Sequence, residues 1–568
     1  MGGRCTTGDH RLAAVVSTPA DVMSTLRQAF AALQTGRIED AMRLSTQATM
    51  QAPANFDAWR IRALAHAQRH ETAAQRDALQ RACALRPGDA AAALDLGTLL
   101  LDSGAADAAV PWLRIAMDAP QRDARAAFRY GTAQARIGDH ASAIEGFAQA
   151  VERQPDWCEA WLNLAAMRMR GGDLDAALSA AGTALTLQPD DAHAHHTLLA
   201  LLSHRFDVES LARAWMHAQV ALAHLPDRAD VHRDASIVLR KIGRNTEARA
   251  HAERAVALAP DDVRTVETLG EQLLINRDAT AAAALYAQAI GRGMDDATLQ
   301  RQHGIALLQA GDVRAAVQVL RSAVASTPAD QRAIAHLGVA LAHAGELDAA
   351  VELLGLQRHV VAVDLPTPAG FDDMRAFNAQ LARDIAAHPR QRWEPAGLAA
   401  HQAHLSGELR DAPTAAISAF EGALRDALEA FIDLCRRRAD AHPDDVFLRN
   451  VPRGETVLHM WATQAAGAGH IGTHIHEDSW LSGAYYVSVP DSIRAEDPSH
   501  AGGIEFGRPF ATLPAWPEDA LRHELPREGV LLLFPSYLFH RTLPHAASEA
   551  RVSISFDLGA ASVAPRTS

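Results

Sequence analysis

A chain of 568 residues, 48% hydrophobic and 21% charged, is too long for one ordinary core, so two or more domains are expected. Its formal net charge of −14 excludes a general nucleic-acid binder, which carries a basic field. Cys5, Cys83, Cys158 and Cys435 lie far apart without a C-x-x-C pair, which excludes a zinc knuckle or a disulfide framework and makes the cytoplasm the expected location; no run approaches the roughly 18 apolar residues that span a membrane.

Residues 1–20 read as a disordered leader without the basic-then-apolar pattern of a secretory signal. Met1-Gly2-Gly3-Arg4-Cys5-Thr6 formally fits a myristoylation pattern, a short one of little weight beside that reading.

From 21 to 356 the chain repeats itself. Gly36, Gly104, Gly138, Gly172, Gly243, Gly311 and Gly345 are spaced by 34 or its multiples, except that 172 to 243 is 71. Three extra residues therefore fall in that interval, near Leu202-Ser203-His204-Arg205-Phe206. Pro53, Pro87, Pro120, Pro155, Pro189, Pro226, Pro260 and Pro328 keep the same beat. A period of 34 predicts an array of helix pairs. In the unit ending at Pro189, Trp161, Leu164, Ala165, Gly172, Ala177 and Ala184 fall where one helix meets its partner. Gly131, Gly138, Ala143, Phe147 and Ala150 repeat the pattern one unit earlier. These residues resemble tetratricopeptide repeats, about nine units of them. The resemblance implies a superhelix whose concave surface holds a peptide or a partner protein. Its histidines, among them His195, His196, His204, His217 and His224, read as packing or solvent-facing residues.

The beat stops at Pro366-Thr367-Pro368-Ala369-Gly370, so 357–370 reads as a linker to a domain over 371–568. That domain opens with a helical preface, 371–445, with amphipathic helices over 371–388 and from Pro413 to about Arg438. A loop through Arg392-Trp393-Glu394-Pro395 separates them. Over 446–560 come short strands punctuated by glycine and proline: one beginning at Val457, then 470–476, 483–489, 503–507, 529–534 and 551–558. Such spacing predicts a sandwich or barrel.

Chemistry concentrates in Thr473-His474-Ile475-His476-Glu477-Asp478. A strand sends alternate side chains to one face, so His474, His476 and Asp478 can converge on one metal ion. His540, after the apolar run Val530-Leu531-Leu532-Leu533-Phe534, is the distal ligand. Arg551-Val552-Ser553-Ile554-Ser555-Phe556-Asp557-Leu558 alternates strictly, which places Arg551 and Ser553 on one face.

Four blocks together resemble the 2-oxoglutarate- and Fe(II)-dependent oxygenases, in the bacterial branch often fused to tetratricopeptide repeats. They are Gly472 through Val487, G-G-I-E-F-G-R-P from Gly502, G-V-L-L-L-F-P-S-Y-L-F-H ending at His540, and R-V-S-I-S-F from Arg551. The resemblance covers roughly Phe371 to Leu558. It implies a double-stranded β-helix, or jelly roll, that holds Fe(II) and 2-oxoglutarate and oxidises a substrate as 2-oxoglutarate becomes succinate and carbon dioxide. The expected fold class is therefore multidomain α + β, an all-α tetratricopeptide superhelix followed by a jelly roll with flanking helices.

The superfamily's triad runs H-x-D/E and then a distal H. By its spacing from Gly467-Ala468-Gly469, His474 stands at the first histidine and His476 at the carboxylate. Two ligand sets remain open: His474, His476 and His540, or a frame slid by two in which Asp478 ligates and His474 orients a ligand from behind. Arg551 and Ser553 resemble the clamp for the distal carboxylate of 2-oxoglutarate, and Tyr485 or Tyr486 adds a hydroxyl, alternation allowing one of them inward. Trp461 and Trp480 either wall the pocket or fill the barrel, and His459, His470, His500, His523 and His545 read as structural. A groove joined to such a site raises the local concentration of a tethered polypeptide. Hydroxylation of a protein or peptide recruited by the array is the expected function. A non-catalytic scaffold and a cupin-like dioxygenase that needs no 2-oxoglutarate are the alternatives.

Overall fold

The structure is a computed structural model that describes residues 19–205, 207–394, 399–494 and 496–560. The Met1–Thr6 pattern, the leader up to residue 18, Phe206 and Pro395 lie outside the described residues.

Helices run from Pro19–Gln34 to Leu347–Leu354, each followed closely by the next. Aspartate starts many of them. The side chains of Asp89, Asp139, Asp173, Asp278 and Asp312 each accept from the backbone N–H three residues on, at 2.9–3.3 Å, satisfying a donor that the helix itself leaves unpaired. Gly138 ends Ala124–Ile137 at φ 86°, a left-handed turn that glycine enters at no steric cost. The next helix, His140–Arg153, then lies so close that a Cβ on Gly146 would fall 2.6 Å from the Gly131 nitrogen. Backbone thus meets backbone, and Ala143, Phe147 and Ala150 are buried beside the contact. One unit later Leu164, Ala165, Ala177 and Ala184 have no more than trace exposure, while Trp161 is half-buried with its indole N–H on the Pro155 carbonyl at 2.8 Å. The extra residues after Leu202 lengthen a helix: Val208–His224 has 17 residues where Leu174–Leu187 and Asn245–Leu258 have 14.

The described chain forms two compact units, the first ending at Leu201 and the second beginning at Leu202. In the second unit one apolar core runs from the repeat helices, Ile305 to Leu354, into the sheet domain as far as Leu558. His336 meets the Phe539 ring edge-on at 5.4 Å, and the Tyr537 hydroxyl donates to the Leu354 carbonyl at 3.2 Å. A shared core explains why this unit does not divide at 356.

The sheet domain has ten strands: β1 (Val361–Asp364), β2 (Gln391–Trp393), β3 (Ala400–Ser406), β4 (Thr456–Ile471), β5 (Leu481–Ser488), β6 (Ile504–Phe506), β7 (Arg522–Glu524), β8 (Val530–Pro535), β9 (His540–Thr542) and β10 (Arg551–Ala560). The larger sheet has the order β1-β8-β5-β10-β4-β3-β2 and the smaller β7-β6-β9, with antiparallel pairing throughout. Phe506 of β6 meets Phe534 of β8 at 4.9 Å, so the two sheets pack face to face. The outer face of the larger sheet is covered by helices Met374–Ala386 and Ala415–Ala439, which bury Phe377, Leu381, Phe420 and Leu424 in the common core. Covered on both faces, β8 is buried along its whole length, which accounts for its unbroken apolar run.

Three expectations need correction. The 357–370 linker contains β1, an edge strand paired with β8. The helical preface 371–445 contains β2 and β3, which extend the larger sheet beyond β4. The strand expected over 470–476 does not form: β4 ends at Ile471, His474 keeps a single bridge to His540, and the chain turns at Glu477 and Asp478. Alternation therefore stops before it reaches Asp478.

Candidate metal centre

The segment from His474 to His476 runs antiparallel to 536–540. His474 and His540 exchange backbone hydrogen bonds at 3.0 and 3.1 Å, and the His476 N–H donates to the Ser536 carbonyl at 3.0 Å. This pairing brings three imidazoles together. Ring centroids are 4.2 Å apart for His474 and His540, 4.9 Å for His474 and His476, and 5.2 Å for His476 and His540. Their ligand atoms all lie within 4.8 Å of one another, and among the described residues no other trio of His, Cys, Asp or Glu does so. Asp478 is exposed and stands outside the cluster.

Each ring has its Nδ1 against an oxygen. His474 Nδ1 is 2.8 Å from the Gly472 carbonyl, His540 Nδ1 is 2.9 Å from the Leu538 carbonyl, and His476 Nδ1 is 2.7 Å from Asp557 Oδ2. Oxygen acceptors of this kind demand an N–H, so all three rings carry the Nδ1 hydrogen, which leaves Nε2 as the nitrogen that can meet a metal ion. Burial, with the neighbouring His476, pushes His474 down to about 4, and burial with both other rings holds His540 well below its ordinary value. Two of the rings therefore stay neutral at pH 7, in the form that binds a metal ion. Phe534 stands edge-on to His540 at 4.7 Å, and Trp461 lies nearly parallel to His476 at 5.8 Å. The donor set fits a divalent transition metal.

The inward face of β10 carries Arg551, Ser553, Ser555 and Asp557. Ser553 pairs in register with Tyr486 of β5, and Asp557 with Ser482. Arg551 is 2% exposed; its guanidinium donates to the Gly502 carbonyl and has no carboxylate partner among the described residues. A buried guanidinium without a counter-charge is costly, so the site fits an anionic group such as the distal carboxylate of 2-oxoglutarate. Burial raises Tyr486 to about 12, with Arg551 opposing, so its hydroxyl remains a donor. Tyr485 points to the opposite face, where its hydroxyl donates to Asn378 Oδ1 at 2.7 Å and its ring packs on Phe420. Of the two tyrosines, Tyr486 is the inward one; Tyr485 belongs to the helix-covered side.

Trp480 stacks on Phe447 at 4.6 Å and donates to its carbonyl, so it fills the core, whereas Trp461 walls the histidine cluster. The other histidines have separate partners. His459 meets Glu408, His523 meets Glu505 and the His500 ring, His545 meets the Ala465 carbonyl, and His470 lies 5.0 Å from His401. Asp557 was missed in the sequence, although the alternation that pairs Arg551 with Ser553 puts it on the same face.

Fold and site together define a helical repeat array followed by an antiparallel two-sheet domain with a three-histidine cluster between its sheets. Residues 26–90, 94–157, 211–297 and 301–356 match the family described as Tetratricopeptide repeat, and 459–557 match the family described as "Putative 2OG-Fe(II) oxygenase". The chain thus carries tetratricopeptide repeats, followed by a region similar to the family described as "Putative 2OG-Fe(II) oxygenase". No curated protein matches the chain.

Similar solved structures include a tetratricopeptide repeat protein from Parabacteroides merdae, 12% identical with a TM-score of 0.37, covering 44% of this chain and 98% of that one. A thermophilic repeat protein from Thermus thermophilus is 24% identical with a TM-score of 0.29, covering 33% and 100%. YrrB, described as a repeat protein with an unusual peptide-binding site, is 21% identical with a TM-score of 0.30, covering 31% and 91%. No helix among the described residues is long and apolar enough to cross a membrane.

Proposed function

We propose that the protein is an Fe(II)- and 2-oxoglutarate-dependent oxygenase that hydroxylates a protein or peptide recruited by its repeats. The observation that carries this reading is the shared Nδ1 pattern, which leaves three Nε2 atoms to meet one ion. His474, His476 and His540 hold Fe(II). Arg551 receives the distal carboxylate of 2-oxoglutarate, with the hydroxyls of Ser553 and Tyr486 beside it. When bound, ion and cosubstrate supply oxygen activation, coupled to conversion of 2-oxoglutarate to succinate and carbon dioxide. The chain's own share is to keep the ligands oriented, to neutralise the dicarboxylate, and to exclude water behind Trp461, Phe506 and Phe534.

Recruitment by the repeats is supported by the ion pair between Arg332, on the repeat helix Gln331–His343, and Glu477, beside the ligand His476, at 3.5 Å. The pair sets the end of the array beside the metal loop, so a polypeptide held by the array is kept close to the site. The oxygenase part begins where the repeats end, over 357–370, in a double-stranded β-helix arrangement. A cytoplasmic location agrees with the buried free thiols of Cys83, Cys158 and Cys435.

Succinate release that depends on added 2-oxoglutarate, and is lost in His540→Ala and Arg551→Ala, is the expected result. The all-histidine ligand set favours a second reading, a dioxygenase that needs no 2-oxoglutarate. Oxygen consumption unchanged by omitting 2-oxoglutarate and by Arg551→Ala would establish it in place of the first.

A further inference from the structure

The three histidines are not equivalent behind the ring. His474 and His540 give their Nδ1 hydrogens to backbone carbonyls, whereas His476 gives its hydrogen to Asp557 Oδ2 at 2.7 Å. The other oxygen of that carboxylate, Oδ1, accepts from the Ser482 hydroxyl at 2.6 Å. Ser482 lies 2.7 Å from the Ser536 hydroxyl, and both serines are buried. Because Ser482 spends its one hydrogen on the carboxylate, Ser536 donates to Ser482. Ser536 also accepts the backbone N–H of His476 through its carbonyl at 3.0 Å. Backbone and ring of His476 are thus held at both ends by one closed circuit, which runs through Ser536, Ser482 and Asp557.

His476 is also the residue that occupies the place of the carboxylate in the H-x-D/E pattern. A dication held by three neutral imidazoles keeps its whole charge, whereas one held by two imidazoles and a carboxylate does not. We propose that Asp557 is a positioning residue that returns this missing negative charge to the ion through the His476 ring, with Ser482 and Ser536 fixing the carboxylate. The inference rests on the assignment of the three histidines to a metal ion. A carboxylate behind a ligating histidine fixes the tautomer, aims the ring and raises the basicity of the ligating nitrogen, and its loss ordinarily costs about 10–100-fold in metal affinity. β10 therefore serves the site twice, with Arg551 facing the cosubstrate and Asp557 facing the ion.

The test uses the full chain stripped of metal and titrated with Co(II), followed by calorimetry and by the visible absorption of the bound ion, with thermal unfolding of the metal-free protein alongside. The wild type is expected to bind one equivalent. Asp557→Asn keeps an acceptor for the His476 ring and removes the charge; it is expected to bind Co(II) about 10–100-fold more weakly, with displaced absorption bands and an unchanged metal-free unfolding temperature. Ser482→Ala, which frees the carboxylate and takes the acceptor from the Ser536 hydroxyl, is expected to lose less in the same direction, and it decides the matter if Asp557→Asn does not fold. Equal affinity and spectrum in the variant that folds would overturn the role of Asp557 while leaving the metal site standing. Weakening matched by an equal loss of metal-free stability would overturn it as well, because that is what a purely structural aspartate gives. A wild type that binds no Co(II) would overturn both this inference and the proposed function.

Discussion

The repeat array and the metal centre place their residues in opposite ways. Within the array a repeat packs on its neighbour along the chain: Asp173 caps its own helix, and Gly146 sits on Gly131 in the helix before. The centre is assembled from 474–476, 482, 536–540 and 551–557, segments that meet through sheet pairing and loop contacts. The array spreads its stability over many small, similar contacts, as expected of a quasi-one-dimensional solenoid. The centre concentrates its function in a few side chains that share partners. A substitution of one kind should therefore act locally in the array and across the whole site in the centre.

The largest effect expected from a mild change is at Arg551. Arg551→Lys keeps the charge and loses the planar fork, so one charge-assisted hydrogen bond to the distal carboxylate goes unmade. That is worth about 1.5–3 kcal/mol, or roughly 10–100-fold in affinity for 2-oxoglutarate. Titration of the metal-loaded protein with 2-oxoglutarate measures it, and Co(II) affinity in the absence of 2-oxoglutarate should not change. Undiminished binding of 2-oxoglutarate would remove Arg551 from the cosubstrate site.

Acid separates the two regions next. Glu505 is 3% exposed on the side of β6 away from Phe506, where it receives Arg508 and Arg541 at 2.7 Å and His523 at 3.1 Å. Burial alone would raise its carboxyl, but hydrogen bonds and charge from Arg508 and Arg541 outweigh burial and hold it at about 2. Glu408, against Arg410 and His459, and Asp445, against His359, are likewise held at about 2. All three belong to the sheet domain. As pH falls below about 4.5 the unfolded chain takes up these protons before the folded one does, so the stability they contribute is present above that pH and is lost as pH falls towards 2. For Glu505 the loss amounts to about 3 kcal/mol. Acid unfolding followed by tryptophan fluorescence and amide exchange should begin in the sheet domain, and Glu505→Gln should flatten the dependence between pH 4.5 and 2. A sheet domain that outlasts the repeats in acid would break the contrast.

The same contrast decides what the sequence discloses. The array is legible because its rules are local: a left-handed turn, at most repeats a glycine, keeping a beat of about 34 residues, an aspartate at many helix starts, small residues where helices touch. Even its irregularity after Leu202 is visible as three extra residues, although their absorption into one longer helix is not. In the sheet domain, residue types announce His474, His476, His540 and Arg551 as candidates, and the structure brings the three histidines together. Long-range geometry hides the rest. The turn at Glu477 removes Asp478 from the face that alternation assigns it. Which of Tyr485 and Tyr486 faces inward depends on helices Met374–Ala386 and Ala415–Ala439, which cover one side of β5. β1 and β2 are short, and β1 and β3 pair with strands, β8 and β4, that lie far along the chain. Asp557 is in plain view on its strand, but its contact with His476 exists only once β10, β5 and the 474–476 segment are assembled.

The smallest expected effect tests the local side of the contrast. Asp173 Oδ1 accepts the Ala176 N–H at 2.9 Å at the start of helix Leu174–Leu187. Asp173→Ala leaves that donor to water and costs about 1 kcal/mol. Because each repeat answers mainly to its neighbours, the loss should appear as faster amide exchange in Leu174–Leu187 and in the helix packed on it, Cys158–Arg170, fading along the array. Metal affinity and the binding of 2-oxoglutarate should not move, since no residue of the centre is contributed by that unit. If exchange instead rises uniformly from the first helix to β10, the chain unfolds as one cooperative body, and the division between a locally built array and a globally built centre is wrong.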